Sequence, residues 1–174
     1  RERDDHPEVL HPAQYTAARG QDDAGVHWRR VTDLRNVIVF AAGGVRQAME
    51  LRWVREVATL GFVTLVPTAP PGLVGVCNLH GTILPVLDAG LLTVGQAGAP
   101  ARQGDGALIL QLDGVATALR VDQVDEVVSA HSDGEVVVDG RGRRLPLVDP
   151  DQLLRRLHAP GPGPGPGPAG GPPP

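Results

Sequence analysis

Cys77 and His80 stand three residues apart, and Asp88 follows eight residues later. A thiol, an imidazole and a carboxylate are the groups of a nucleophilic relay, in which the base must reach the sulfur by a hydrogen bond. The spacing works against that. Strand residues three apart point to opposite faces, and Cys77 lies between Val76 and Leu79, the setting of a small buried hydrophobe. Cys-x-x-His is also half of a zinc pattern, but the chain has no second Cys, and His6, His11, His27, His131 and His158 are dispersed along it. No phosphate-binding glycine motif sits between a strand and a helix. No carboxylate pair has an acid–base setting. The residues offer no catalytic, cofactor-binding or metal-binding set, and a small thiol-dependent enzyme using Cys77 and His80 is the weakest reading.

The elements that would position these residues are short strands. Gly43-Gly44 splits Val37–Ala42 from Val45–Leu51, and Asp113-Gly114 splits Ala107–Leu112 from Val115–Val121. His80-Gly81 splits Leu73–Leu79 from Thr82–Leu87, and Glu135–Val138 lies between Asp133-Gly134 and Asp139-Gly140. Such dipeptides supply the positive φ of hairpin turns. His80 falls at a tip that needs it, and His tolerates it better than most residues. An exposed turn residue and a partner contact are equal readings of it. The pattern predicts an all-β fold of closed or nearly closed barrels. One helix is predicted over Pro150–His158, with Asp149 as cap, Pro150 in the first turn and Leu153, Leu154 and Leu157 as its apolar stripe. Residues 89–95 read as a shorter relative.

The chain also repeats itself. At an offset of 70, residues 37–60 match 107–130 without a gap, with Val54-Arg55-Glu56-Val57 on Val124-Asp125-Glu126-Val127. At an offset of 61, Leu84-Pro85-Val86-Leu87-Asp88 matches Leu145-Pro146-Leu147-Val148-Asp149. The order hairpin, Val-x-Glu-Val, Leu-Pro-x-x-Asp, helix therefore occurs twice and predicts two related half-barrels sharing a groove. Pro85 and Pro146 are expected at an edge or bulge, and Asp88 and Asp149 as acceptors for the following turn. Val54 and Val57, three apart, would share one face of a helical turn. Glu56 reads first as a solvated charge.

Composition sets the outer bounds. Of 174 residues, 160–174 are all Pro, Gly or Ala and hold 8 of the 17 prolines, a stretch with nothing to bury. Residues 1–34 are polar and aperiodic. The expected organisation is a loosely ordered segment 1–34, one folded domain 35–158 and a disordered tail 159–174. No apolar run approaches the ~20 residues of a membrane helix, and no signal peptide is legible, although the chain begins with Arg rather than Met. One Cys fits a reducing compartment. A net charge of −4 with scattered basic residues argues against nucleic acid. The 16 basic residues are all Arg, which reads as genome composition bias.

The segment Val74-Gly75-Val76-Cys77-Asn78-Leu79-His80-Gly81-Thr82-Ile83-Leu84-Pro85-Val86-Leu87-Asp88 resembles the signature G-x-x-N-x-R-G-x-x-x-P-V-x-D of CheW-like domains. Val37–Phe40 with Gly43-Gly44, Val54–Val57, Pro67–Gly72, Leu119–Val127 and Leu145–Leu154 resemble the other family segments in the same order. The resemblance implies two SH3-like five-stranded β-barrels side by side. It implies a cytoplasmic, non-catalytic chemotaxis adaptor without cofactors. Its partners would be the regulatory domain of the histidine kinase CheA and the cytoplasmic tip of methyl-accepting chemoreceptors. Carried over by position, the implied partner-binding residues are Val54, Glu56, Val57, Gly75, Asn78, His80 and Gly81. To them are added Val121, Val124 and Val127, near the groove between barrels.

Two departures stand out. His80 replaces the family's Arg, and His is shorter and mostly neutral at pH 7. The stretch between Val127 and Leu145 is short, so the second barrel is expected to lack a strand or to have a trimmed loop. These departures leave open a divergent regulatory decoy that binds only the kinase.

Overall fold

The structure is a computed structural model that describes residues 34–158. The expected disorder of the N-terminal segment and of the tail 159–174 lies outside the described residues. Strands β1 (Leu34–Ala42) and β2 (Val45–Glu50) form a hairpin, followed by one 3-10 turn (Leu51–Trp53), β3 (Val54–Thr59) and the two-residue β4 (Val63–Thr64). Then come β5 (Leu73–Leu79), β6 (Thr82–Asp88) and helix α1 (Ala89–Val94). The second half runs β7 (Gly106–Leu112), β8 (Val115–Val121), β9 (Gln123–Asp133), β10 (Val136–Asp139), β11 (Arg144–Pro146) and helix α2 (Pro150–His158).

The turn chemistry behaves as expected. Ala42 pairs with Val45, Leu79 with Thr82 and Leu112 with Val115 across two-residue turns. In each turn both central residues have positive φ, with His80 at 50° and Asp113 at 46° preceding a glycine. Asp88 caps α1 by accepting from Leu91 N at 2.9 Å, and Asp149 accepts from Asp151 N at 3.0 Å. The two Leu-Pro-x-x-Asp segments thus end in the same way.

The repeat is real, but its halves interlace. One sheet has the order β11-β10-β9-β1-β2 and the other β3-β7-β8-β6-β5-β4. Each barrel therefore takes the hairpin of one half and the later strands of the other. Even the closures correspond: Val86 pairs in parallel with Ala118, and Leu147 makes the matching parallel bridge with Ala48. The expectation of one half-barrel per repeat is corrected accordingly. Among the described residues the second barrel has five strands, against six in the other, which adds the two-residue β4. The trimming of the second barrel shows as strand length, since β10 and β11 have 4 and 3 residues against 7 and 7 in β5 and β6.

Two local expectations also change. Val54–Val57 is a strand with a β-bulge, not a helical turn: Val54 pairs with Leu110 and Glu56 with Ile109, leaving Arg55 as the extra residue. Pro146 is on an outer strand, but Pro85 is inside its sheet. It is tolerated there because pairing with β8 starts one residue later, at Val86.

Alternation along the strands builds three apolar layers. Val37, Val39 and Ala48 fill one barrel with Ala130, Val137 and Leu145, while Ala107, Ile109 and Ala118 fill the other with Cys77, Leu84 and Val86. The intervening positions, Ile38, Phe40 and Met49 with Leu108, Leu110 and Leu119, form a third and larger layer between the barrels. Leu92 of α1 and Leu153 of α2 complete it. The expected groove is thus a packed seam. One buried charge lies at the rim of the barrel built from β3–β8: Arg120 Nη2 lies 2.6 Å from Asp88 Oδ2, and Nη1 lies 3.2 Å from Asp105 Oδ2 and donates to Ala99 O at 2.6 Å.

Candidate partner-binding site

The ten candidate residues fall into two surface groups and a supporting set. Glu56 and Val57 are exposed on β3, which is an outer strand of its sheet. Asn78, His80 and Gly81 are exposed at the β5–β6 turn of the same sheet. Asn78 Oδ1 accepts from Gly81 N at 2.9 Å, which fixes the turn and leaves the His80 ring outermost. The chain leaving β3 passes this turn, since a Cβ at Gly61 would stand 3.9 Å from Asn78 O. The five lie on the same sheet, Glu56 and Val57 on its outer strand β3 and the other three at the β5–β6 turn.

Val124 and Val127 lie on β9 of the other sheet, Val127 exposed and Val124 half-buried against the seam. They form a separate group. Val121, Val54 and Gly75 support rather than contact. Val121 is 4% exposed inside the seam, and Val54 packs against the same layer. Gly75 is buried beneath β4, where a Cβ would stand 2.3 Å from Thr64 O, so only glycine lets the two backbones approach.

Sequence reasoning missed the most exposed apolar side chains. Phe62 is 78% exposed, Leu65 72% and Ile83 63%. Val63 packs toward the barrel interior with Cys77 opposite, so Phe62, one residue earlier, faces outward. Ile83 pairs with Asn78, so both also face out. An apolar strip with Asn78 in its middle thus borders the His80 turn. The available signal was an aromatic directly after a glycine, in a chain with few aromatics.

The two Val-x-Glu-Val stretches differ electrostatically. Glu56 has no ion pair among the described residues. Its repeat mate Glu126 accepts from Arg143 Nη2 at 2.6 Å, and Arg143 Nε also donates to Asp139 Oδ2 at 2.6 Å. That hydrogen bond from Arg143 holds the Glu126 carboxyl below its ordinary range. Burial alone pushes Asp139 up, but the backbone N–H groups of Arg143 and Arg141 and the Arg143 guanidinium outweigh it, so the net shift is also downward. Carboxyls depressed on folding add stability above their unfolded pKa and lose it as pH falls through their folded values. The stability gap between wild type and Arg143→Gln is therefore expected in full above about pH 5 and to narrow over the acid interval below it, as the depressed carboxyls take up protons. Urea midpoints measured across that interval check it, and a gap independent of pH contradicts it.

Cys77 and His80 do not form a pair. Cys77 is 3% exposed inside a barrel, and burial pushes its thiol up, away from the reactive thiolate. His80 stands outside on the turn. Among the described residues no cluster of three His, Cys, Asp or Glu could hold a metal ion, and no helix is long and apolar enough to cross a membrane.

The family model for the CheW-like domain matches residues 36–134. No curated protein matches the chain. Among solved structures it is similar to the scaffolding protein TtCheW from Thermoanaerobacter tengcongensis, with 20% identity and a TM-score of 0.55, covering 66% of this chain and 88% of that one. At that identity the likeness carries the fold.

Proposed function

The chain belongs to the CheW-like domain family, and from that membership we propose a non-catalytic adaptor that couples chemoreceptors to the histidine kinase CheA by protein–protein contacts. It works in the cytoplasm, beside receptor arrays, and transforms no small molecule. The observation that carries the docking surface is the strip of exposed Phe62 and Ile83 beside the pinned Asn78–Gly81 turn, on the sheet whose outer strand β3 also exposes Val57 and Glu56, the latter with no ion pair among the described residues. Exposed apolar side chains beside a rigid polar turn suit a protein partner.

Central apolar anchors carry most of an interface's energy. Val57→Asp is therefore expected to weaken capture of the kinase regulatory domain or of a receptor tip by about tenfold or more. Val45→Asp, exposed on the other sheet and outside the candidate residues, is the control. Pull-down and reconstituted kinase autophosphorylation with receptor, with and without each variant, read the outcome. Equal loss from both variants, or from neither, removes this surface from the proposal.

A second reading rests on His80, which puts a shorter and mostly neutral side chain where the family carries Arg. In that reading the protein is a decoy that engages the kinase alone. His80→Arg separates the two: receptor binding gained by the variant, absent in wild type, supports the decoy, and receptor binding already present in wild type ends it.

A further inference from the structure

The two Val-x-Glu-Val stretches hold the same place in their barrels. β3 lies beside β7 as β9 lies beside β1. Their exposure also runs alike: Val57 and Val127 are exposed, Ala58 and Val128 half-buried, Thr59 and Ser129 exposed. The turns that follow correspond as well. Asn78 Oδ1 pins the β5–β6 turn by accepting from Gly81 N at 2.9 Å. At the matching position of the repeat, Asp139 Oδ1 pins the β10–β11 loop by accepting from Arg141 N and Arg143 N, each at 2.9 Å. The match breaks at the glutamates. The β10–β11 loop has four residues, 140–143, and its last, Arg143, donates to Glu126. The β5–β6 turn has only two, His80 and Gly81, and makes no ion pair with Glu56. Glu126 is accordingly half-buried and Glu56 exposed.

We propose that Glu56 receives its guanidinium from outside: an arginine of the kinase regulatory domain meets it, and Glu56 thereby determines which partner segment fits. The inference rests on the docking surface proposed above, and it names the kinase because both readings given there bind it. The barrel of β9–β11 is the template, since it shows a carboxylate at this place in the fold taking an arginine. The geometry of β3 admits a partner. It is an outer strand of its sheet. Glu56 pairs with Ile109 and Val57 with Leu108, so the two side chains leave opposite faces of the strand. A segment that touches both lies along the open edge of β3, where main-chain groups can receive a further strand. A planar guanidinium grips a carboxylate at two points, whereas an ammonium is a point charge. Glu56 thus selects an arginine and fixes the register, while the exposed apolar side chains hold the contact.

Glu56→Gln is expected to weaken binding of the kinase regulatory domain, measured by titration calorimetry, by about tenfold to a hundredfold. Glu56→Arg is expected to remove measurable binding. Exposed arginines of the kinase domain, replaced by glutamate one at a time, should then yield a variant that binds wild type poorly and Glu56→Arg well. Such a reversal restores binding only where the two side chains meet. Wild-type binding by Glu56→Gln, where Val57→Asp binds weakly, overturns the proposal. So does a loss confined to the receptor tip, or a Glu56→Arg variant that no glutamate replacement rescues. An ineffective Val57→Asp is a different failure, that of the docking surface, and the Glu56 assignment falls with it.

Discussion

Arg120→Ala is expected to lower stability by about 3–5 kcal/mol, the usual cost of removing one partner from a buried ion pair. The Arg120 and Asp88 side chains are only 8% and 10% exposed. Taking away the guanidinium leaves the Asp88 carboxylate buried without its cation, and the same group caps α1 through Leu91 N. Asp105 and the Ala99 carbonyl lose their donor as well, so the connection between the halves loosens together with the helix. Arg144→Ala is the comparison, because its pair with Asp133 is 62% and 46% exposed, and such pairs contribute about 0–1 kcal/mol. Urea denaturation of both variants measures the difference. An Arg120→Ala midpoint no lower than that of Arg144→Ala refutes the assignment.

Phe40→Ala is the second large effect, with an expected loss of about 3–5 kcal/mol. Phe40 is fully buried, and it lies in the seam between barrels rather than inside either one. The cavity should therefore destabilise both barrels equally. Because each barrel borrows its hairpin from the other half, the variant should still unfold in one transition. Amide exchange can follow the two sheets separately, through residues such as Val137 in one and Val86 in the other. Two resolved transitions would show that the barrels are energetically independent.

What could be read from the residues was local. The hairpin turns at Gly43-Gly44, His80-Gly81 and Asp113-Gly114 carry their own backbone requirement, and helix 150–158 carries its cap and stripe, so both were legible. The repeat was legible because it aligns without a gap. Its interlacing was not. Strand alternation tells which face is buried but not which strand lies alongside, so β1 could not be assigned to β9. The bulge at Arg55 was hidden for a related reason, since Val54 and Val57 at a spacing of three imitate a helical face. Arg120, Asp88 and Asp105 were missed as a set because nothing local links charges that far apart in the chain. Among the candidate site residues, Asn78, His80 and Gly81 were placed correctly at a surface turn. Val121 and Gly75 have burial set by neighbours from distant segments, which one stretch of sequence does not reveal.

The interlaced strand order also bears on how the protein is made. A nascent chain that has released β1 and β2 from the ribosome still lacks β9, some eighty residues from synthesis. Until then Ile38 and Phe40 have no seam to enter, and β7 is equally absent for β3. Neither barrel can close during translation of the first half: one waits for β8, which ends at Val121, and the other for β11, which ends at Pro146. Over that interval the hairpin's apolar side chains have no core to enter.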